Sequence, residues 1–280
     1  MTETGDDPLV SAAQAGDRHA VEELLSKYQD RVYRYGLRFC GNPGDAEDVM
    51  QETLLAMAKS LPSFERRASL TTWAYTIARS FCIKRSRKSK FAPVDVKPLE
   101  RATLELASIA TQMPNAPEDA LHAKQTGALL ERAVSDLEDE QREVLVLRDI
   151  EGLSAQEVAD VLSISVAAVK SRLHRARSKL RQELLPMLGP RAGRPASSGC
   201  PDIVSLYSKY LENEIEAGVC RDMQKHLDSC KPCTSVCDSL KETLRLCGSL
   251  SAAKVPGSVQ ASVRHALRAL LESPPTTLKE

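Results

Sequence analysis

Three side chains near the end of the chain have the types and spacing of a metal site: His226, Cys230 and Cys233, in the run H-x3-C-x2-C. Four residues make about one helical turn, so His226 and Cys230 share a face, and Cys233 follows across a turn containing Pro232. Three donors can converge there. Cys200, directly after a Gly- and Pro-rich stretch, is the natural fourth ligand, and Cys220 is an alternative to it. Three thiolates and one imidazole closing a tetrahedron describe a structural zinc (Zn2+) site with no position left open for a substrate. The long span from Cys200 is bridged if Ile203 to Leu211 and Glu216 to His226 form antiparallel helices. Cys220, Cys237 and Cys247 add thiols that suit a soft signalling metal or a resolving role in oxidation.

The second chemistry is electrostatic. The chain carries 38 basic and 38 acidic residues, so net charge excludes nothing, but the distribution is uneven. No acid lies between Arg66 and Val94, and none between Lys170 and Arg181, while both stretches are rich in Lys and Arg. Two such footprints on a neutral chain point to nucleic acid. A cluster of opposite sign, Asp45, Asp48, Gln51 and Glu52, sits at helical spacing and offers acceptors to a basic partner.

These residues need helices to hold them. Ala, Leu, Arg, Glu and Ser dominate the composition and aromatics are only 4%, which favours an all-α chain over a β-sandwich or a large α/β enzyme. With 280 residues, two or three small domains are expected. The breaks fall at two Pro- or Gly-rich linkers. They divide the chain into residues 1–91, a linker at 92–117, residues 118–188, a linker at 189–199, and residues 200–280. In the first segment Asp17 caps a helix with Val21, Leu24, Leu25, Tyr28, Val32 and Tyr35 inward. A second helix begins at Asp45, and a third begins near Ser69 and ends in a basic tract. A short helix at Leu99 to Ile109 is possible within the linker. No apolar run reaches the length of a membrane span, and the polar Met1 to Pro8 start argues against a signal peptide. A cytoplasmic chain is expected, with Cys40 and Cys82 as buried, reduced thiols.

In the middle segment Asp136 to Ile150 reads as one helix. Ser154 and Glu157 then form a capping box for the next, which buries Val158, Ala159, Val161 and Leu162. Ser163-Ile164-Ser165 is a three-residue turn. The last helix buries Val166, Val169, Leu173, Ala176 and Leu180 and presents Lys170, His174, Arg177 and Arg181, flanked by Arg172, Arg175 and Lys179. A short helix, a tight turn and a longer basic helix fit helix-turn-helix geometry, in which the second helix enters the major groove.

The stretch Leu147 to Leu180, and above all V-K-S-R-L-H-R-A-R at Val169 to Arg177, resembles domain 4 of bacterial RNA polymerase sigma factors of the extracytoplasmic-function (ECF) class. The resemblance implies contact with the promoter −35 element and the polymerase flap, with Ser165, Lys170, Ser171, Arg172, His174, Arg175 and Arg177 toward DNA. Ser163 and Ala167-Ala168 stand where the family often has Gly and Gly-Thr. D-A-E-D-V-M-Q-E-T, Asp45 to Thr53, resembles the sigma helix that docks on the polymerase clamp. L-T-T-W-A-Y-T-I-A-R-S, Leu70 to Ser80, resembles the part that melts and reads the −10 element, with Trp73 read as core and Arg79, Lys84, Arg85 and Arg87 following strand phosphates. Ser80 and Lys84 replace the usual Asn and Asp.

C-P-D-I-V-S-L-Y-S-K-Y-L-E-N-E-I and H-L-D-S-C-K-P-C resemble the zinc-binding anti-sigma domain. Pro256 to Leu271, with Val259, Val263, Leu267 and Leu270 apolar, resembles the helix with which such domains clasp sigma. The layout also resembles metal-responsive ECF factors with a Cys-rich tail. The partners implied are core RNA polymerase, promoter DNA and the chain's own tail folded on its sigma domains, with no membrane. A helix-turn-helix regulator that does not bind core polymerase is the alternative. Nothing points to an enzyme: no phosphate loop or nucleophile–base pair is recognisable.

Overall fold

The computed structural model describes residues 7–40, 43–89, 117–188, 199–252 and 255–272. Among them there is no strand, as the composition predicts, and they form two compact units. The expected helix at Leu99 to Ile109 lies outside the described residues.

The first unit combines the N-terminal segment with the C-terminal residues from Ala253 onward. Its helices are α1 (Asp7–Gln14), α2 (Arg18–Cys40), α3 (Pro43–Ser60) and α4 (Leu70–Ser89). Asp17 Oδ1 accepts from the His19 and Ala20 amides at 2.9 and 3.3 Å, so the expected cap of α2 is present. The stripe of α2 named above is buried throughout. Helices α2 and α3 approach so closely that a Cβ on Gly36 would lie 3.0 Å from the Ala46 Cα. Helix α3 begins at Pro43, whose missing amide costs nothing in a first turn, so Asp45 lies inside that turn and does not cap it. Ser69 caps α4 through the Thr72 amide at 3.1 Å. Trp73 is half-buried and stacks on Phe64 with ring centroids 4.7 Å apart. The short α1, which the periodicity did not reveal, is tied in by the Gln14 amide, which donates to the Phe64 carbonyl at 2.8 Å.

Cys40 and Cys82 are not the isolated thiols expected. They are paired as a disulfide between the end of α2 and the middle of α4, with Cα atoms 5.4 Å apart. The two cysteines are 42 positions apart in sequence, and they meet because α2 and α4 lie side by side and run in the same direction.

The second unit holds α5 (Pro117–Ser135), α6 (Asp139–Leu145), α7 (Ala155–Leu162) and α8 (Val166–Leu188), then α9 (Ile203–Leu211), α10 (Ala217–Ser229) and α11 (Lys231–Ser249). The helix expected from Asp136 to Ile150 is shorter at its start and loosens into a π-type turn over Val146–Ile150. The capping box forms as expected: Glu157 N donates to Ser154 Oγ at 3.2 Å and Ser154 N donates to Glu157 Oε2 at 2.9 Å. Ser163 ends α7 in the left-handed region, at φ 55°. Ser165 Oγ then accepts from the Ala168 amide at 3.2 Å and starts α8. Val169, Leu173, Ala176 and Leu180 are buried along one side of α8. The last helix, α12 (Gly257–Glu272), belongs to the first unit, where it packs on α2 and α3.

Candidate metal centre and nucleic-acid interface

Helices α9 and α10 run back on each other as expected, and the turn between α10 and α11 carries the signature run. Asp202 caps α9 through the Ser205 amide at 3.0 Å and so fixes Cys200 just before the helix. His226 lies in the last turn of α10, Cys230 follows that helix, and Cys233 lies in the first turn of α11. One donor atom from each of Cys200, His226, Cys230 and Cys233 lies within 4.8 Å of all the others. The Cys200 and Cys230 sulfurs are 3.7 Å apart, and His226 Nε2 is 3.2 Å from Cys233 Sγ. Cys200 is in this group and Cys220 is outside it. Burial, with added hydrogen bonds from Cys200 and Cys230, pushes the Cys233 thiol up to about 12. Three sulfurs and an imidazole held this close match a borderline-soft, tetrahedral cation, and the donor set fits zinc. Ile203, Met223 and Cys237 pack around Cys233 as an apolar shell.

The basic face of α8 differs from the expectation. Ser165, Ser171 and Arg175 are exposed, and Lys170, Arg172 and His174 are half-buried. Arg177 and Arg181, expected on the outside, are inside. Arg177 is 1% exposed. It forms a bidentate pair with Asp149, with contacts of 2.7 and 2.8 Å, and donates to Glu212 at 3.0 Å. Burial opposes its charge, but the bonds and charges of Asp149 and then Glu212 outweigh that, so its pKa is raised. Arg181 donates to Ser239 Oγ at 2.6 Å, and burial lowers its pKa. Periodicity marks both residues as one turn from exposed neighbours. It cannot register that α11 of the Cys-rich segment packs along this side of α8.

The turn between α9 and α10 adds residues that the sequence reading missed. Glu212 accepts from Arg148 Nε at 3.1 Å as well as from Arg177, and Glu214 pairs with Lys170. The signal was present in the acidic run L-E-N-E-I-E, whose charge complements the basic helix. Arg172 pairs instead with Glu140 on α6, at 2.7 Å.

In the first unit, two expectations meet. Arg85, expected on phosphates, lies over the acidic face of α3, with contacts of 3.1 Å to Asp45, 2.9 Å to Asp48 and 3.3 Å to Glu52. Partial burial opposes its charge, but Asp48, Asp45 and Glu52 together raise its pKa. Gln51 and Arg79 are half-buried and Lys84 is exposed. The side chains of Arg87 and Leu270 lie outside the described residues. Val259, Val263 and Leu267 of α12 are buried against α2 and α3, and the Val255 amide donates to Asp30 Oδ1 at 2.8 Å. Among the described residues no helix is long and apolar enough to cross a membrane.

Three family profiles match successive parts of the chain: Sigma-70 region 2 at residues 24–91, Sigma-70 region 4 at 128–180, and a zinc-finger family at 200–234. The chain is 32% identical over 178 residues to the ECF RNA polymerase sigma factor SigW of Bacillus subtilis, covering 62% of this chain and 94% of that one. It is 30% identical to the RNA polymerase sigma-H factor of Pseudomonas aeruginosa, over 67% of this chain and 98% of the other. A solved structure of CnrH in complex with the cytosolic domain of CnrY overlaps 64% of this chain and 96% of its own, at 26% identity and a TM-score of 0.43. An overlay that loose says nothing about mechanism.

Proposed function

The chain belongs to the ECF RNA polymerase sigma factors, and from that premise we propose that it directs core polymerase to promoters under the control of its own metal-holding tail. Residues 1–91 engage core polymerase through the face of α3 that carries Asp45, Asp48, Gln51 and Glu52. The same segment meets the −10 element through α4, with Arg79, Lys84 and Arg87 along the phosphates. Residues 118–188 read the −35 element with the start of α8, from Ser165 through Lys170, Ser171 and Arg172 to His174 and Arg175. Arg177 acts from inside, as a brace that orients α8 against Asp149. The protein works where polymerase does, in the cytoplasm.

The tail, residues 200–280, holds zinc through Cys200, His226, Cys230 and Cys233. The metal supplies charge neutralisation and a rigid corner; the chain supplies everything that acts on the sigma domains. Glu214 covers Lys170, Glu212 holds Arg177 and Arg148, and α12 lies on the helix that carries the polymerase-facing acids. Lys170 is a group the promoter needs and α3 is the helix polymerase needs, so the tail in this state restrains the factor. The observation that carries this reading is the pairing of tail carboxylates with the basic helix. A bound metal would tie the start of α9 to the end of α10, the two helices whose connecting turn carries Glu212 and Glu214.

The test is run-off transcription with core polymerase, comparing the full chain with one ending at residue 199. Higher output from the short chain is expected. Equal output removes the regulatory claim, and lower output makes the tail an activator. No transcription from either chain removes the sigma assignment itself.

A further inference from the structure

Outside the tail the chain holds one more pair of sulfurs whose chemistry neither sigma module explains. The geometry points to Cys40 and Cys82 as a reversible thiol–disulfide site inside the first unit, oxidised by hydrogen peroxide and separate from the metal centre.

Cys40 closes α2 and is half-buried; Cys82 lies mid-way along α4 and is 4% exposed. Their Cα atoms are 5.4 Å apart, within the range a disulfide spans without moving the backbone. Among the described residues no His, Asp or Glu joins them in a donor cluster, so they are not a second metal site. The tail thiols differ: there three sulfurs and an imidazole converge. No disulfide joins the six other cysteines. On the proposed function the chain works in the cytoplasm, where thiol reductants reach the bridge through its half-buried Cys40 sulfur. The dithiol is therefore the resting form, and the bridge forms when an oxidant arrives.

The electrons balance simply. The Cys40 sulfur, the more accessible of the two, attacks peroxide. The O–O bond breaks, one water leaves, and Cys40 becomes a sulfenic acid. The Cys82 sulfur then attacks that sulfur, the S–S bond forms, and a second water carries away the remaining oxygen. Two electrons pass from two thiols to one peroxide. A dithiol reductant returns them by exchange. The bond ties α4 to the end of α2, beside the corner from which α3 departs.

The test uses the full chain, reduced, freed of reductant and treated with hydrogen peroxide. Alkylation and peptide mapping without reduction should find the Cys40 and Cys82 peptides joined, two hydrogens lighter than the dithiol, and dithiothreitol should separate them. The melting temperature should rise by more than about 5 °C on oxidation, a shift absent in Cys40→Ala and Cys82→Ala. Three outcomes overturn the proposal: both cysteines still alkylated after peroxide, Cys40 joined to a tail cysteine, or a Cys40–Cys82 bond that dithiothreitol leaves intact in the folded chain.

Discussion

Arg177 shows how a residue can belong to a DNA-binding helix and yet serve it from within. Its guanidinium sits among Asp149 and Glu212, whose side chains are 7% and 5% exposed. Removing one partner of such a group leaves buried charges unpaired. Arg177→Ala should therefore cost about 3–5 kcal/mol of stability, measured by urea unfolding. If it instead weakened promoter binding at unchanged stability, Arg177 would be a phosphate contact after all. The metal cluster gives a second prediction at this scale. Cys233→Ser should abolish bound zinc, measured by elemental analysis of the purified chain, while Cys220→Ser should leave it unchanged, because Cys220 lies outside the donor group. Loss of zinc from the Cys220 variant would reassign the fourth ligand.

Helix ends decide the geometry of the DNA-reading pair. The capping box of Ser154 and Glu157 and the cap at Ser165 were readable as local signals, because each satisfies amides within three residues of itself. Ser163 is different: it adopts φ 55°, a conformation that costs a residue with a Cβ about 1 kcal/mol. Ser163→Gly should raise stability by up to about 1 kcal/mol in chemical denaturation, and a loss would show that the Ser side chain compensates in the turn. Across elements, the bond from α2 to α4 closes a loop of 42 residues. Chain entropy then predicts about 4 kcal/mol more stability for the oxidised first unit than for the reduced one. Equal denaturation midpoints would show strain cancelling that gain.

Over the whole chain, the tail sends its covering groups to two places. The stretch that carries the metal ligands stays with α8 in the second unit, and α12 returns to α2 and α3 in the first. A covalent tether makes both contacts intramolecular, with effective concentrations of order millimolar, so weak docking suffices. Leu267, 2% exposed, anchors α12. Placing a carboxylate there should release the helix: Leu267→Asp in the full chain should tighten core-polymerase binding by about threefold or more in a pull-down titration. Unchanged affinity would mean that α12 does not compete with polymerase.

The residue order alone carried the all-α class, the caps at Asp17, Ser154 and Ser165, the two basic stretches and the run of His226, Cys230 and Cys233, with Cys200 and Cys220 both open as a fourth donor. Each of these signals is local: a period of 3.6, a cap three residues from its amide, a His and a Cys one turn apart. Only the folded chain decided that Cys40 meets Cys82, that Arg85 turns onto Asp45, Asp48 and Glu52, and that Arg177 lies inside. Those facts depend on which helices pack together across sequence separations of 28 to 42. Burial and charge pairing are properties of that packing, and a helix seen by itself shows the same face whether solvent, DNA or another helix covers it.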